Sequence, residues 1–322
     1  MKILVYSFND KIGDGLQKIS FIQKLRSLYP NSHITYTTTF ETSFKTFLYP
    51  LIDEYIDEFI EDNQVTSSIL GFFKTNLIFK DLYFDLIIDL QKVVTRTIKL
   101  KKIPHKIFFS SSANFLFSDI KNTQNYSFKK LYIERFYFNI LSLLTNQFIK
   151  DIPEIIIPKC DTSNIKISSN KLNNIAIAPG AGNKIRRWNF EKYLQVGKKL
   201  REDGYNVYFF LGPDERNLLD LCLKNKFVCP EWQDGEIINK NIIFIMNLAK
   251  RMNYLLCNDG GTAWMFEFAG IKTLKIFGVT DKKKFARPGY TETIDISDFG
   301  YKTLDKFPVS EYLKLLRNFL KK

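Results

Sequence analysis

Residues 254–270, YLLCNDGGTAWMFEFAG, change character midway, and that change decides how the rest of the chain reads. Leu255, Leu256 and Cys257 form a short apolar run of the kind that makes a buried strand, and it stops at Asn258-Asp259-Gly260-Gly261. From Thr262 onward the pattern is helical, with Trp264, Met265 and Phe268 as its apolar positions. A strand that breaks at paired glycines and opens a helix leaves backbone N–H groups, and the positive end of the helix dipole, aimed at one spot. Such a turn is a cradle for phosphate, and glycine lets the backbone come close to the ligand. Asp259 would repel a phosphate; it suits the hydroxyls of a sugar, or a capping role. A plain strand–turn–helix accounts for the same residues, so the surrounding chain has to decide.

The surroundings repeat the pattern. Residues 2–8, KILVYSF, meet a loop holding Gly13-Asp14-Gly15, and Leu16, Ile19, Ile22, Leu25 and Leu28 then recur at helical spacing. Pro30 and Asn31 end that helix and His33 starts a second strand, which together make the opening unit of a doubly wound parallel sheet. Lys18 stands where a third glycine would complete a dinucleotide fingerprint, so that reading is excluded. Asp14 lies between glycines past the carboxyl end of the first strand, where open α/β sheets bind ligands. Residues 84–90, FDLIIDL, read as a further buried strand ending at Gln91. It opens onto Lys92, Arg96, Lys99, Lys101, Lys102 and Lys106, with no acid among them. Residues 127–148 suggest a long aromatic helix, in the core or on a membrane surface, and residues 150–174 a linker plus an edge strand.

A second doubly wound domain follows. Residues 175–178 form a strand, 179–183 a glycine-rich turn, and Lys184, Arg186, Arg187 and Trp188 precede a helix near Asn189. Cations at a helix N-terminus oppose its dipole, so an anionic ligand explains them better than solvation does. Residues 205–211 return as a strand before Gly212-Pro213-Asp214-Glu215-Arg216, and 273–277 before Gly278-Val279-Thr280-Asp281. The expected division is residues 1–155, residues 170–308, and an amphipathic terminal helix at 309–322 that either packs back on the first domain or closes against the second.

Composition narrows the classes. The chain has 322 residues, 45% of them hydrophobic and 25% charged, as in an ordinary globular protein of two domains. Scattered cysteines and only two histidines, His33 and His105, argue against a disulfide framework or a metal site. The N-terminal apolar run is too short for a signal peptide, and the expected location is the cytoplasm. A net charge of +13 predicts an anionic partner, yet no nucleic-acid-binding signature is visible.

Taken in order, these motifs resemble glycosyltransferase family 9, the family of the ADP-heptose:lipopolysaccharide heptosyltransferases. The matching segments are Ile12-Gly13-Asp14; residues 85–91, DLIIDLQ; Ala178-Pro179-Gly180-Ala181 with 184–188; Gly212 to Arg216; and 258–261 with 277–281. The resemblance implies the GT-B architecture, two Rossmann-like doubly wound domains facing across a cleft, with acceptor bound by the first and nucleotide-sugar by the second. It implies inverting transfer without a metal and without a cofactor, from a donor such as ADP-heptose. The chain lacks the Asp-x-Asp motif of the other major glycosyltransferase architecture. Asp14 matches the family's catalytic acid and is the candidate base. Gly180, Ala181, Asn183, Lys184, Arg186 and Arg187, with Gly260, Gly261, Thr262 and Ala263, are the candidate holders of the donor diphosphate. Asp259, Asp214 and Glu215 are candidates for the donor's sugar and ribose hydroxyls, with Thr280 and Asp281 at the rim. Gly13, Gln91, Lys92 and Arg96 are candidate contacts for an anionic lipopolysaccharide or glycolipid acceptor at the inner membrane face. Two positions depart from the family: Trp264 replaces a usual His, and Gly15 a usual aliphatic residue. Two other readings compete. One is a nucleotide-sugar epimerase of the same architecture, for which the two histidines are poorly placed; the other is a non-catalytic protein binding anions or nucleic acid.

Overall fold

The computed structural model describes residues 1–63, 65, 79, 81–238 and 241–321. The chain divides into two compact units, Met1–Ile155 and Ile156–Lys322. In the first, β1 (Lys2–Ser7) leads through α1 (Ile12–Leu28) to β2 (His33–Thr38), followed by β3 (Glu58–Ile60), β4 (Phe84–Asp89), α2 (Val94–Leu100), β5 (His105–Ser110) and α3 (Ile133–Thr145). The strands are all parallel, in the order β3-β2-β1-β4-β5. The central strands are buried on both faces, so β1 and β4 read as nearly continuous apolar runs rather than alternating ones. Leu4 and Tyr6 of β1 pack with Ile87, Leu100 and Phe108 in one buried cluster.

The second unit repeats the plan. It holds β6 (Asn174–Ala178), α4 (Phe190–Glu202), β7 (Asn206–Phe209), α5 (Leu219–Lys224), β8 (Trp232–Gln233), β9 (Glu236–Ile237), α6 (Ile242–Ala249), β10 (Tyr254–Asn258), α7 (Gly261–Phe268), β11 (Lys272–Phe277), α8 (Lys282–Phe285), β12 (Thr291–Asp295) and α9 (Val309–Leu320). Its main sheet is parallel, ordered β12-β11-β10-β6-β7, and β8 and β9 form a small hairpin. Residues alternate between two cores, as the period of two demands. Ile175 and Ile177 join Leu256 and Leu274 on one face, and Ala176 and Ala178 join Leu255 and Cys257 on the other.

The structure revises three expectations. The first helix begins at Ile12, so Gly13, Asp14 and Gly15 lie in its first turn instead of a free loop. The long helix expected at 127–148 is confined to Ile133–Thr145, with Lys130 before it and Asn146 after it both at positive φ. Residues 150–174 contain no edge strand up to the start of β6. Instead Ile165 and Ile167 enter the second unit's core, and the Arg251 guanidinium donates to the carbonyls of Thr162, Ile165 and Ile167. The terminal helix packs within the second unit, where Tyr312, Leu316 and Phe319 join the core shared with α4. Lys322, the last residue of that expected segment, lies outside the described residues.

Candidate functional site

In the second sheet, β6 and β10 are neighbours whose connections leave in opposite directions, to β7 and to β11. A crevice at the carboxyl ends of such strands is where open α/β sheets bind ligands. The two turns that open there touch. A Cβ added to Gly260 would lie 3.1 Å from the Gly180 carbonyl oxygen, so the close approach of backbones is what requires glycine. Gly260 itself is extended, at φ −159°, and takes the N-cap position of α7 with no side-chain cap; the first N–H groups of that helix receive no hydroxyl or carboxylate from the cap.

Asn258, at the end of β10, fixes this junction. Its Oδ1 accepts from the Trp188 N–H at 2.9 Å and the Tyr193 hydroxyl at 3.1 Å, while its Nδ2 donates to the Pro179 carbonyl at 2.6 Å. Buried Asn258 thus joins three separate segments. Trp188 is anchored in turn by Nε1 donating to the Phe307 carbonyl at 3.0 Å and by stacking on Tyr312 at 4.6 Å.

The predicted cations separate into two kinds. Arg187 Nε donates to the Ala181 carbonyl at 2.7 Å, and its Nη2 lies 3.4 Å from Glu215 Oε1. Its guanidinium therefore braces the glycine turn from within. Glu215 is buried against Gly180, where an added Cβ would meet its carboxyl carbon at 2.8 Å. Burial pushes the Glu215 carboxyl above its ordinary range, against the pull of Arg187. Arg186, by contrast, is substantially exposed and reaches Asp259, with Nη1 at 3.8 Å from a carboxylate oxygen that is almost wholly buried. Lys184, Asn183 and Asp214 are exposed on the same edge, and Asn183 accepts from the Ile185 N–H to cap the short turn Lys184–Arg186. Asp281 accepts from the Lys283 N–H and caps α8. Trp264, the residue in place of the family's His, is buried rather than presented at this edge. Its ring stacks on Phe268, and the ammonium of Lys275, itself paired with Glu267 at 2.9 Å, lies 4.9 Å from the ring centre.

The first unit has its own carboxyl edge. Asp14 is exposed in the first turn of α1, where an acid is favoured by the helix dipole, and Gly13 lies beside it. Gly15 makes room for a neighbour: an added Cβ would stand 2.4 Å from Leu48 Cδ1. At the end of β4, buried Asp89 accepts from the hydroxyls of Thr97 and Ser110 and from the Gln91 N–H, at 2.7, 2.9 and 2.9 Å. Burial raises its carboxyl to about 6. The basic run is partly tied up. Lys92 donates to the Phe128 carbonyl at 2.6 Å, and Lys101 to that of Phe117. Arg96 lies flat on Phe8, its guanidinium carbon 3.3 Å from the ring centre. Asp10, Lys18, Asp89 and Asn258 are polar centres to which the motifs assigned no role. All are buried; the partners of Asn258 are remote in sequence, whereas Asp10, Lys18 and Asp89 combine near partners with the more distant Tyr36 and Ser110.

Among the described residues, no group of three or more His, Cys, Asp or Glu could hold a metal ion, and no helix is long and apolar enough to cross a membrane. No curated protein matches the chain. Among solved structures, it is similar to a family 9 glycosyltransferase from Veillonella parvula, at 20% identity and a TM-score of 0.71, covering 99% of this chain and 97% of that one. It is also similar to the E. coli heptosyltransferase WaaC with ADP-2-deoxy-2-fluoro heptose, at 10% identity and 0.66, covering 99% of each. A third is the E. coli ADP-heptose lps heptosyltransferase II, at 17% and 0.62, covering 99% and 98%. These likenesses confirm the fold, two Rossmann-like units of the GT-B kind. The profile of glycosyltransferase family 9 (heptosyltransferase) matches residues 79–307, most of the chain, so the protein belongs to that family and is a glycosyltransferase.

Proposed function

We propose that the protein is an inverting, metal-independent transferase that moves a heptose-like sugar from an ADP-sugar to a lipopolysaccharide core or a related glycan. The observation that carries this reading is the junction at Gly180 and Gly260, with Arg186 and Lys184 beside it and the uncapped turn of α7 opening onto it. Those cations and N–H groups supply the positive charge that a departing diphosphate needs. Arg187 holds the turn in shape. Asp214 and Glu215 are the acceptors assigned to the ribose hydroxyls, and Asp259 to the transferred sugar.

In the reaction, Asp14 takes the proton of the acceptor hydroxyl as its oxygen bonds to the anomeric carbon. The bond from that carbon to the diphosphate breaks, and the electron pair leaves with ADP. Attack from the face opposite the leaving group inverts the configuration. The donor is argued from two neighbours, whose names carry ADP-heptose or its fluoro analogue. Gly13, Gln91 and Arg96 border the acceptor in this proposal, at the cytoplasmic face of the inner membrane. Lys92 is the weakest of the acceptor assignments, since a carbonyl already holds its ammonium. Incubation with ADP-heptose and a heptose-deficient lipopolysaccharide tests the reading. Transfer of one heptose with inverted configuration supports it; hydrolysis or epimerisation of the donor without transfer contradicts it.

A further inference from the structure

We propose that Lys18 is a positioning residue for the reaction, acting through the backbone of Asp14; this rests on the reading of Asp14 as the base. Lys18 lies on α1 and is almost wholly buried, an unusual place for a lysine. Its Nζ donates to Asp10 Oδ1 at 2.7 Å and to the Asp14 carbonyl at 2.8 Å. Asp10 is as buried as its partner, and it also accepts from the Ser7 hydroxyl at 2.9 Å and the Tyr36 hydroxyl at 2.6 Å. The Tyr137 ring closes the cluster, 5.7 Å from the ammonium. Burial is the largest single influence and works against the charged lysine, but Asp10, Tyr137 and Asp14 acting together hold the proton above lysine's ordinary range.

Stability is a poor reason for this arrangement. A buried ion pair costs several kcal/mol of desolvation per ion, and apolar replacements of both partners are often neutral or stabilising. The geometry offers another reason. The N-cap of α1 is Lys11, whose side chain caps nothing, so the turn carrying Asp14 lacks the usual restraint at a helix start. Lys18 supplies one. It spans from Asp10, just before the helix, to the carbonyl of Asp14 in its first turn, and the Asp10 carbonyl is itself held by the Ser43 N–H at 2.8 Å. The turn is thereby fixed at both ends while the Asp14 side chain faces solvent. Misplacing a reacting group by about 1 Å can cost on the order of 100-fold in rate, so a restraint here has kinetic weight.

The test compares Lys18→Met, Asp10→Asn and the double variant by thermal unfolding and by steady-state transfer from ADP-heptose to heptose-deficient lipopolysaccharide. The double variant removes both charges together, and we expect it to recover most of the stability lost in Lys18→Met. Its kcat should stay at least about tenfold below wild type, with both KM values within about twofold. Asp10→Asn keeps an oxygen for Lys18 and leaves the bond to the Asp14 carbonyl, so its kcat should fall by less than that of Lys18→Met even if the double variant does not fold. Wild-type kcat in the double variant, or an Asp10→Asn loss matching that of Lys18→Met, overturns the inference. Asp14→Asn, run beside them, separates the two claims. If it remains active, the base assignment fails; if it is inactive while the double variant is fully active, only the role of Lys18 fails.

Discussion

Arg186 Nη1 stands 3.8 Å from Asp259 Oδ2, a half-exposed guanidinium over a carboxylate that is nearly buried at the start of α7. The pair joins the turn after β6 to the turn after β10, and it leaves the arginine's outer face open to an anion. Arg186→Ala should weaken ADP binding and lower kcat/KM for transfer by about 10- to 100-fold, the scale of one lost charge-assisted contact. Arg186→Lys should recover part of the loss. Titration calorimetry with ADP, repeated at two salt concentrations, checks this: the salt dependence of binding should shrink in Arg186→Ala.

Gly260→Ala should be damaging for a reason unrelated to torsion, since the backbone there is extended. The new Cβ would press on the Gly180 carbonyl at 3.1 Å, and backbone yields less easily than a side chain. We expect a loss of about 1–3 kcal/mol in urea unfolding, and weaker ADP binding as the junction opens. Gly182→Ala is the control, because nothing lies within 4 Å of its Cβ position. It should be near neutral in stability.

Asn258→Ala removes the partner of the Trp188 N–H, the Tyr193 hydroxyl and the Pro179 carbonyl together. The stranded groups are buried, so the expected cost is about 2–4 kcal/mol. Asn258→Asp should fare no better, since it sets an acceptor against the Pro179 carbonyl in place of the Nδ2 donor. Unfolding midpoints in urea for the two variants test the prediction.

These consequences also show what was legible from residues alone. The glycines at 180 and 260 stood out as breaks after apolar runs, although what each makes room for, Glu215 at Gly180 and the Gly180 carbonyl at Gly260, lies far along the chain. The strands of the second sheet were equally plain as apolar runs, while the two cores they divide were not read. Asn258 was legible only as part of a turn, because its main partner lies 70 residues away. The start of α1 was misjudged since glycine is a poor helix former, yet Gly15 is demanded by Leu48, a contact no local pattern reveals. Arg251 holds the segment before β6 by its carbonyls, which replaced the expected edge strand. The run from Lys92 to Lys106 suggested an open basic face, but carbonyls folded back from residues 117 and 128 engage two of its lysines.

Asp89 gives the protein a pH-dependent stability. Burial raises its carboxyl from 3.8 to about 6, so the folded state holds the proton more tightly than the unfolded chain does. The contribution is fully present below about pH 4 and is lost as pH rises through about 6. At a shift of about two units it is on the order of 2–3 kcal/mol. Urea unfolding of wild type and Asp89→Asn between pH 4 and pH 7.5 reads it out. The stability difference, wild type minus variant, should fall across that window; a flat difference refutes the assignment.

In the proposed reaction one carboxylate of the first unit takes a proton while the second unit holds the leaving ADP. The direct test is single-turnover transfer from ADP-heptose by Asp14→Asn, with ADP affinity measured on the same preparation. Transfer should fall by about 100- to 10,000-fold, the range for losing a general base, while ADP affinity stays at the wild-type value. Transfer at the wild-type rate would contradict the account.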